Sequence, residues 1–129
     1  MSKATANRQG ARLNIEGVKG DTFYLPIHCE YYDSGNTKQD FSWSNYSGAS
    51  MQVKRKTSSS VIELTFTTDD GTIELALDGR LRLSQSAEVM DTVRAGEYEY
   101  DLVLFGTDSH YNVRDFIYGK FTVAPKITE

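Results

Sequence analysis

The chain is poor in the residues that most often announce chemistry. Its 129 residues hold one cysteine, two histidines, two prolines and one tryptophan. A single cysteine, Cys29, excludes an intramolecular disulfide. It lies in an alternating apolar run, so a small buried hydrophobe is expected there rather than a reactive thiol. His28 falls on the polar phase of that run and His110 in a polar segment. Neither stands at HxxxH spacing, no CxxC occurs, and no cluster of histidine with carboxylates is visible. The expectation is therefore no metal and no cofactor. There is no GxSxG, and Ser50 lies inside a strand pattern, so no nucleophilic triad is indicated and no enzyme is expected.

Long apolar runs are also missing. No stretch approaches ~18 apolar residues, and "MSKATANRQG" has no apolar centre, so neither a membrane span nor a signal peptide is expected. Synthesis in the cytoplasm follows as an expectation. Acidic residues outnumber basic ones outside the N-terminus. Lys3, Arg8, Arg12 and Lys19 face only Glu16 in the first twenty residues, a balance of +3 in a chain of net charge −4. The remaining body is strongly acidic, which argues against nucleic acid as a partner, because phosphate binding needs a basic face. Residues 1–12 read as a flexible basic arm, either a tether to an acidic neighbour or a solvated tail.

Alternation is abundant. Leu13 and Ile15 open the pattern in "ARLNIEG". Phe23, Leu25, Ile27, Cys29 and Tyr31 continue it, with Pro26 placing that strand at a sheet edge or a bulge. Met51 and Val53 are expected inward, as are Ile62, Leu64 and Phe66, then Ile73, Leu75 and Leu77. Asp78-Gly79 is a strong two-residue hairpin signal leading to Leu81 and Leu83. "SQSAEVMDTVRAG" is the one helical piece, capped by Ser84 or Ser86, with Val89 and Val93 on one face and Gly96 as its stop. "AGEYEYDLVLFG" alternates Tyr98, Tyr100, Leu102 and Leu104 with Glu97, Glu99 and Asp101. Val103 and Phe105 then break the polar phase, which predicts cover on both faces. Ile117, Phe121 and Val123 alternate last, and Pro125 ends the pairing.

Seven or eight short strands with no βαβ rhythm predict an all-β fold, first an Ig-like antiparallel sandwich with one short helical turn over residues 13–129. A small barrel is the alternative, since alternation cannot show whether sheets close. Fifteen aromatics, eight of them tyrosine, suit boundaries that are apolar at the ring and wet at the hydroxyl. The segment Asp33–Gly48 carries Phe41, Trp43 and Tyr46. Exposed, Trp43 and Tyr46 would stack on a sugar ring; buried, they plug one end of the sandwich, and the proximity of Phe41 favours plugging. "DSGNTKQD" departs from a calcium-loop order at most positions. Asp69-Asp70-Gly71 reads as turn chemistry, and "KRK" at 54–56 as a solvated strand end. Glycosidase chemistry would need two carboxyls facing across a cleft, for which the acids of residues 97–101 give no sign.

Several segments carry a family resemblance: "GDTFYLPI", the turn-rich aromatic stretch into "MQVKRK", "LTFTTDDGTIEL", "AGEYEYDLVLFG" and "VRDFIYGKFTVAPKIT". Together, over about residues 13 to 128, they resemble small virion structural proteins of tailed bacteriophages, and they are similar to the Ig-like N-terminal domain of baseplate upper proteins. The resemblance implies an assembly role in the virion through contacts with other virion proteins, in many symmetric copies. It supplies no active-site residues. No receptor-binding domain is expected after the last strand. Lys3, Arg8, Arg12, Trp43 and Tyr46 are the expected partner contacts, with a glycan-binding module through Trp43 and Tyr46 as the alternative.

Overall fold

Strict alternation over a dozen residues demands a surface with one dry and one wet face, and the sheets supply it. The structure, a computed structural model, describes residues 11–56, 58–108 and 112–126. Along the chain run β1 (Ala11–Arg12), β2 (Ile15–Val18), β3 (Phe23–His28), β4 (Glu30–Tyr32), β5 (Lys38–Asp40), β6 (Tyr46–Lys54), β7 (Leu64–Thr67), β8 (Ile73–Ala76), β9 (Arg80–Gln85), α1 (Ala87–Asp91), β10 (Gly96–Gly106) and β11 (Val113–Ala124). The chain is all-β, a sandwich of antiparallel sheets, and no closed barrel is found among the described residues.

One sheet has the order β3-β9-β8, the other β1-β11-β10-β6-β7, with β2 also on β11. The N-terminal pairings are parallel, Ala11 opposite Ile117 and Ile15 opposite Phe121; the other pairings are antiparallel. β10 lies in the middle of the larger sheet, so its alternate residues Tyr98, Tyr100, Leu102 and Leu104 are buried. They face Phe23, Ile73, Leu81 and Leu83 of the smaller sheet within one core. Phe23, Phe66 and Phe121 join the sheets through tilted and edge-on ring contacts of 5.5 to 6.1 Å, a geometry that suits their quadrupoles. Gln85 is the buried polar side chain among the described residues. Its amide donates to the Thr65 carbonyl at 2.6 Å, which ties β9 of one sheet to β7 of the other and satisfies the buried donor.

Pro26 lies on β3, which is an edge strand; a residue without an N–H is tolerated there because no neighbour needs one. The β8–β9 hairpin turns at Asp78 (φ 63°) and Gly79 (φ 73°), both left-handed as a type I′ turn requires, and Arg80 N–H bonds to the Leu77 carbonyl at 3.3 Å. Asp70 accepts from the Thr72 amide and hydroxyl, and these bonds hold its carboxyl below its usual pKa while the chain crosses between sheets.

Five sequence expectations change. Ile62 is exposed rather than inward, because it precedes β7, which begins at Leu64. Asp33–Gly48 is not wholly irregular, because β4 and β5 pair as a small hairpin. Leu77 is 84% exposed at the turn tip rather than inward, since the hairpin has left the core by then. The helix is one short turn that ends at Asp91, with Thr92 as its C-cap, and does not reach Gly96; Ser86 caps it by accepting from Val89 N–H. Met90 and Val93 are buried while Val89 is exposed, because so short a helix cannot present an i, i+4 face. Lys19, from a distant loop, donates to the Asp91 and Val93 carbonyls and sets a cation against the helix C-terminus. Finally, Phe105 is exposed, so the far end of β10 is covered on one face only.

Candidate functional site

The acidic strand decides what the outer face of the larger sheet can do. Glu99 and Asp101 project outward from β10 beside Tyr118 and Lys120 of β11. β11 then breaks register: Leu102 faces Ile117 but Leu104 faces Val113, so residues 114–116 bulge opposite Val103 alone. A bulge re-aims side chains. Here it sends Phe116 toward the core and puts Asp115 at a left-handed φ of 54°, with its carboxyl on Asp101. Burial and the neighbouring Asp115 carboxylate push the Asp101 pKa up, with Lys54 opposing. Two adjacent carboxyls on one outer sheet face do not make the pair facing across a cleft that glycoside hydrolysis uses.

Around this pair lies a shallow depression of about 430 Å³ whose lining includes Arg12, Tyr118, Asp101, Asp115 and Lys120. The Arg12 guanidinium lies 5.3 Å from the Tyr118 ring centroid. The last two residues of the expected flexible arm, Ala11 and Arg12, are therefore paired in the sheet. Arg12 arrives there because Leu13 is fastened on both sides: its N–H bonds to the Tyr118 carbonyl at 2.8 Å and its carbonyl accepts from Tyr100 Oη at 2.5 Å. Lys3 and Arg8 lie outside the described residues, as does His110.

Trp43 and Tyr46 belong to a different place, the end of the sandwich where β5 meets β6. Phe41 lies at the centre of an aromatic cluster, 5.0 Å from Trp43, 5.9 Å from Tyr46 and 4.9 Å from Phe116. All four are half-buried and pack on the core. The indole N–H donates to the Arg80 carbonyl at 3.1 Å. The rings thus plug the sandwich end, and a ring face committed to Phe41 or Phe116 is withdrawn from a sugar. At the same end the β4–β5 hairpin is bound to the β8–β9 turn through Cys29, whose N–H bonds to the Gly79 carbonyl at 2.8 Å and whose carbonyl accepts from Phe41 N–H at 2.9 Å. Burial pushes the Cys29 thiol up to about 12, so it is an inert packing residue. Tyr31, Tyr32 (65% exposed) and Leu77 project from this joined hairpin and turn.

The expectation that no histidine–carboxylate cluster exists is corrected here. Strand pairing places Asp40 directly opposite Glu30, and His28 reaches both. Its Nε2 is 2.8 Å from Asp40 Oδ1 and its Nδ1 is 3.6 Å from Glu30 Oε2. Residues 10 to 12 apart in the chain gave no motif; the hairpin between them was the missing information. The Asp33 carboxylate of the same hairpin is engaged by the Thr37 amide, Gln39 and the Gly35 amide, which lower its pKa and make it a turn cap rather than a calcium ligand. In "KRK", Arg55 is laid 4.8 Å from the Tyr98 ring centroid and closes that residue from solvent.

The chain matches no protein-family model and no curated protein. No helix of the described residues is long and apolar enough to cross a membrane.

Proposed function

We propose that this protein is a non-enzymatic virion structural component of a tailed bacteriophage, an Ig-like module that works through protein–protein contacts with other virion proteins. The resemblance of its segments to that group is one support. The strand order is another: β3-β9-β8 against β2-β11-β10-β6-β7, with a tyrosine hydroxyl tied back four residues, Tyr98 Oη to the Arg94 carbonyl at 2.5 Å. That arrangement follows the Ig scheme and its tyrosine corner.

The observation that carries the contact role is the exposure of Tyr31, Tyr32 and Leu77 on one braced hairpin and turn. Exposed tyrosine and leucine lower the cost of desolvating a partner, and their backbone is already fixed by the Cys29 bonds, so little ordering entropy opposes association. In a symmetric particle many copies make a modest single-site affinity sufficient. The partner is a neighbouring virion protein.

The test is incorporation into particles assembled without the protein. Leu77→Asp with Tyr32→Ala is expected to abolish incorporation while circular dichroism stays native, because both side chains lie outside the core. Removing residues 2–10 tests the basic arm in the same assay. Incorporation unchanged by the Leu77/Tyr32 pair would sink the contact role of this end, and unchanged incorporation after truncation would sink the arm.

A further inference from the structure

We infer that His28, Glu30 and Asp40 form a surface site for a divalent cation of the zinc class. The reasoning starts from the hairpin. Glu30 and Asp40 are directly opposed across β4 and β5, next to the bonded pair Cys29 and Phe41. Directly opposed like charges destabilise a strand pair unless a cation stands between them. His28, the last residue of β3, puts its ring there. One donor atom from each of the three side chains lies within 4.8 Å of the other two. That is wider than the edge of a coordination shell built on bonds of about 2.0–2.2 Å, and His28 meets Asp40 through Nε2 but Glu30 through Nδ1, so ion binding requires the ring to turn until one nitrogen faces both carboxylates.

The backbone beneath does not need to move. Cys29 is buried between His28 and Glu30 and is bonded to both Gly79 and Phe41. All three ligand side chains are exposed, so a hydrated ion reaches them and keeps water in its remaining positions. An imidazole nitrogen with two carboxylate oxygens is a borderline donor set, matched to zinc and its first-row neighbours rather than to magnesium, which prefers oxygen alone. Lys38 Nζ, 3.6 Å from Glu30 Oε1, is the internal competitor for that carboxylate and is not a ligand.

This assignment is independent of the virion role. Titrating Zn²⁺ into the tag-free full chain by calorimetry, with Co²⁺ absorption as a geometric probe, tests it. One ion per chain is expected, and a perturbed His28 ring proton signal on Zn²⁺ addition. His28→Ala and Asp40→Asn each weaken binding by about tenfold or more, since even outer-shell losses reach that size. Lys38→Ala binds at least as tightly as the parent. The variants are surface changes, and native circular dichroism checks that they fold. No Zn²⁺ binding by the parent, or binding that persists in His28→Ala, overturns the site.

Discussion

Asp101 shows how much a single residue's meaning depends on what the fold places beside it. In the sequence it is one of three acids on a strand's wet face. In the structure the bulge of β11 puts Asp115 against it, and its pKa is raised by burial first and by that neighbour second. A carboxyl raised in the folded state is neutral in both states at low pH. As pH rises through the ordinary value of about 3.9, the unfolded chain ionises first, so the folded state loses stability until the raised pKa is passed. Asp101→Asn is therefore expected to raise the melting temperature at pH 7, with the gain shrinking as pH falls through the raised folded pKa and gone below about 4. Thermal melts of both proteins at several pH values check this, and a gain that is constant with pH would show that the raised pKa of Asp101 is not its source. Nothing in "EYEYD" points to Asp115, fourteen residues beyond Asp101; only the bulge brings it there.

At the scale of elements, the β8–β9 turn joins local chemistry to long-range support. Asp78 and Gly79 both adopt left-handed backbone, and a Cβ on Gly79 would stand 2.4 Å from the Cys29 carbonyl and 2.8 Å from Phe41 N. Gly79→Ala combines the backbone cost of positive φ, about 1–2 kcal/mol, with displacement of the hairpin it touches. A loss of about 2 kcal/mol or more is expected in urea unfolding, and a loss near zero would mean that the β4–β5 hairpin yields freely. This turn was legible in two letters, and so was the inward phase of β10; Pro26 was narrowed to an edge or a bulge, and the cap to Ser84 or Ser86, of which the fold takes the edge and Ser86. Elements whose identity rests on tertiary pairing were not. β5 is an exposed three-residue strand without alternation to reveal it, and its pairing with β4 could not be read, so the histidine–carboxylate group the hairpin creates was invisible. Leu77 followed the apolar phase of β8, yet phase does not say where a sheet ends. Val89 and Val93 had helical spacing, but the helix stops at Asp91. Trp43 and Tyr46 were readable as a plug because Phe41 is two residues away, although Phe116, which completes the cluster, was not.

At the scale of the whole molecule, topology governs how the protein forms. β2 closes onto β11, pairing Ile15 with Phe121, so the larger sheet is completed only when almost the full chain has been brought together. Pairing of such sequence separation implies folding in milliseconds to seconds rather than microseconds. Stopped-flow refolding followed by Trp43 fluorescence measures it, and sub-millisecond folding would contradict this closing step. The same parallel pairing has a mechanical side. Ala11 lies beside Ile117 and Val18 beside Ala124, so the chain enters and leaves the joint about 23 Å apart at ~3.3 Å per residue. Tension drawing the two ends of the chain apart would slide β2 along β11 instead of peeling it away. The bonds from Leu13 N–H to Tyr118 and from Lys19 N–H to Ala124 would then be loaded together, and rupture would require them to fail at once. A strand joint of that orientation makes the sandwich a stiff link for any pull applied through its termini.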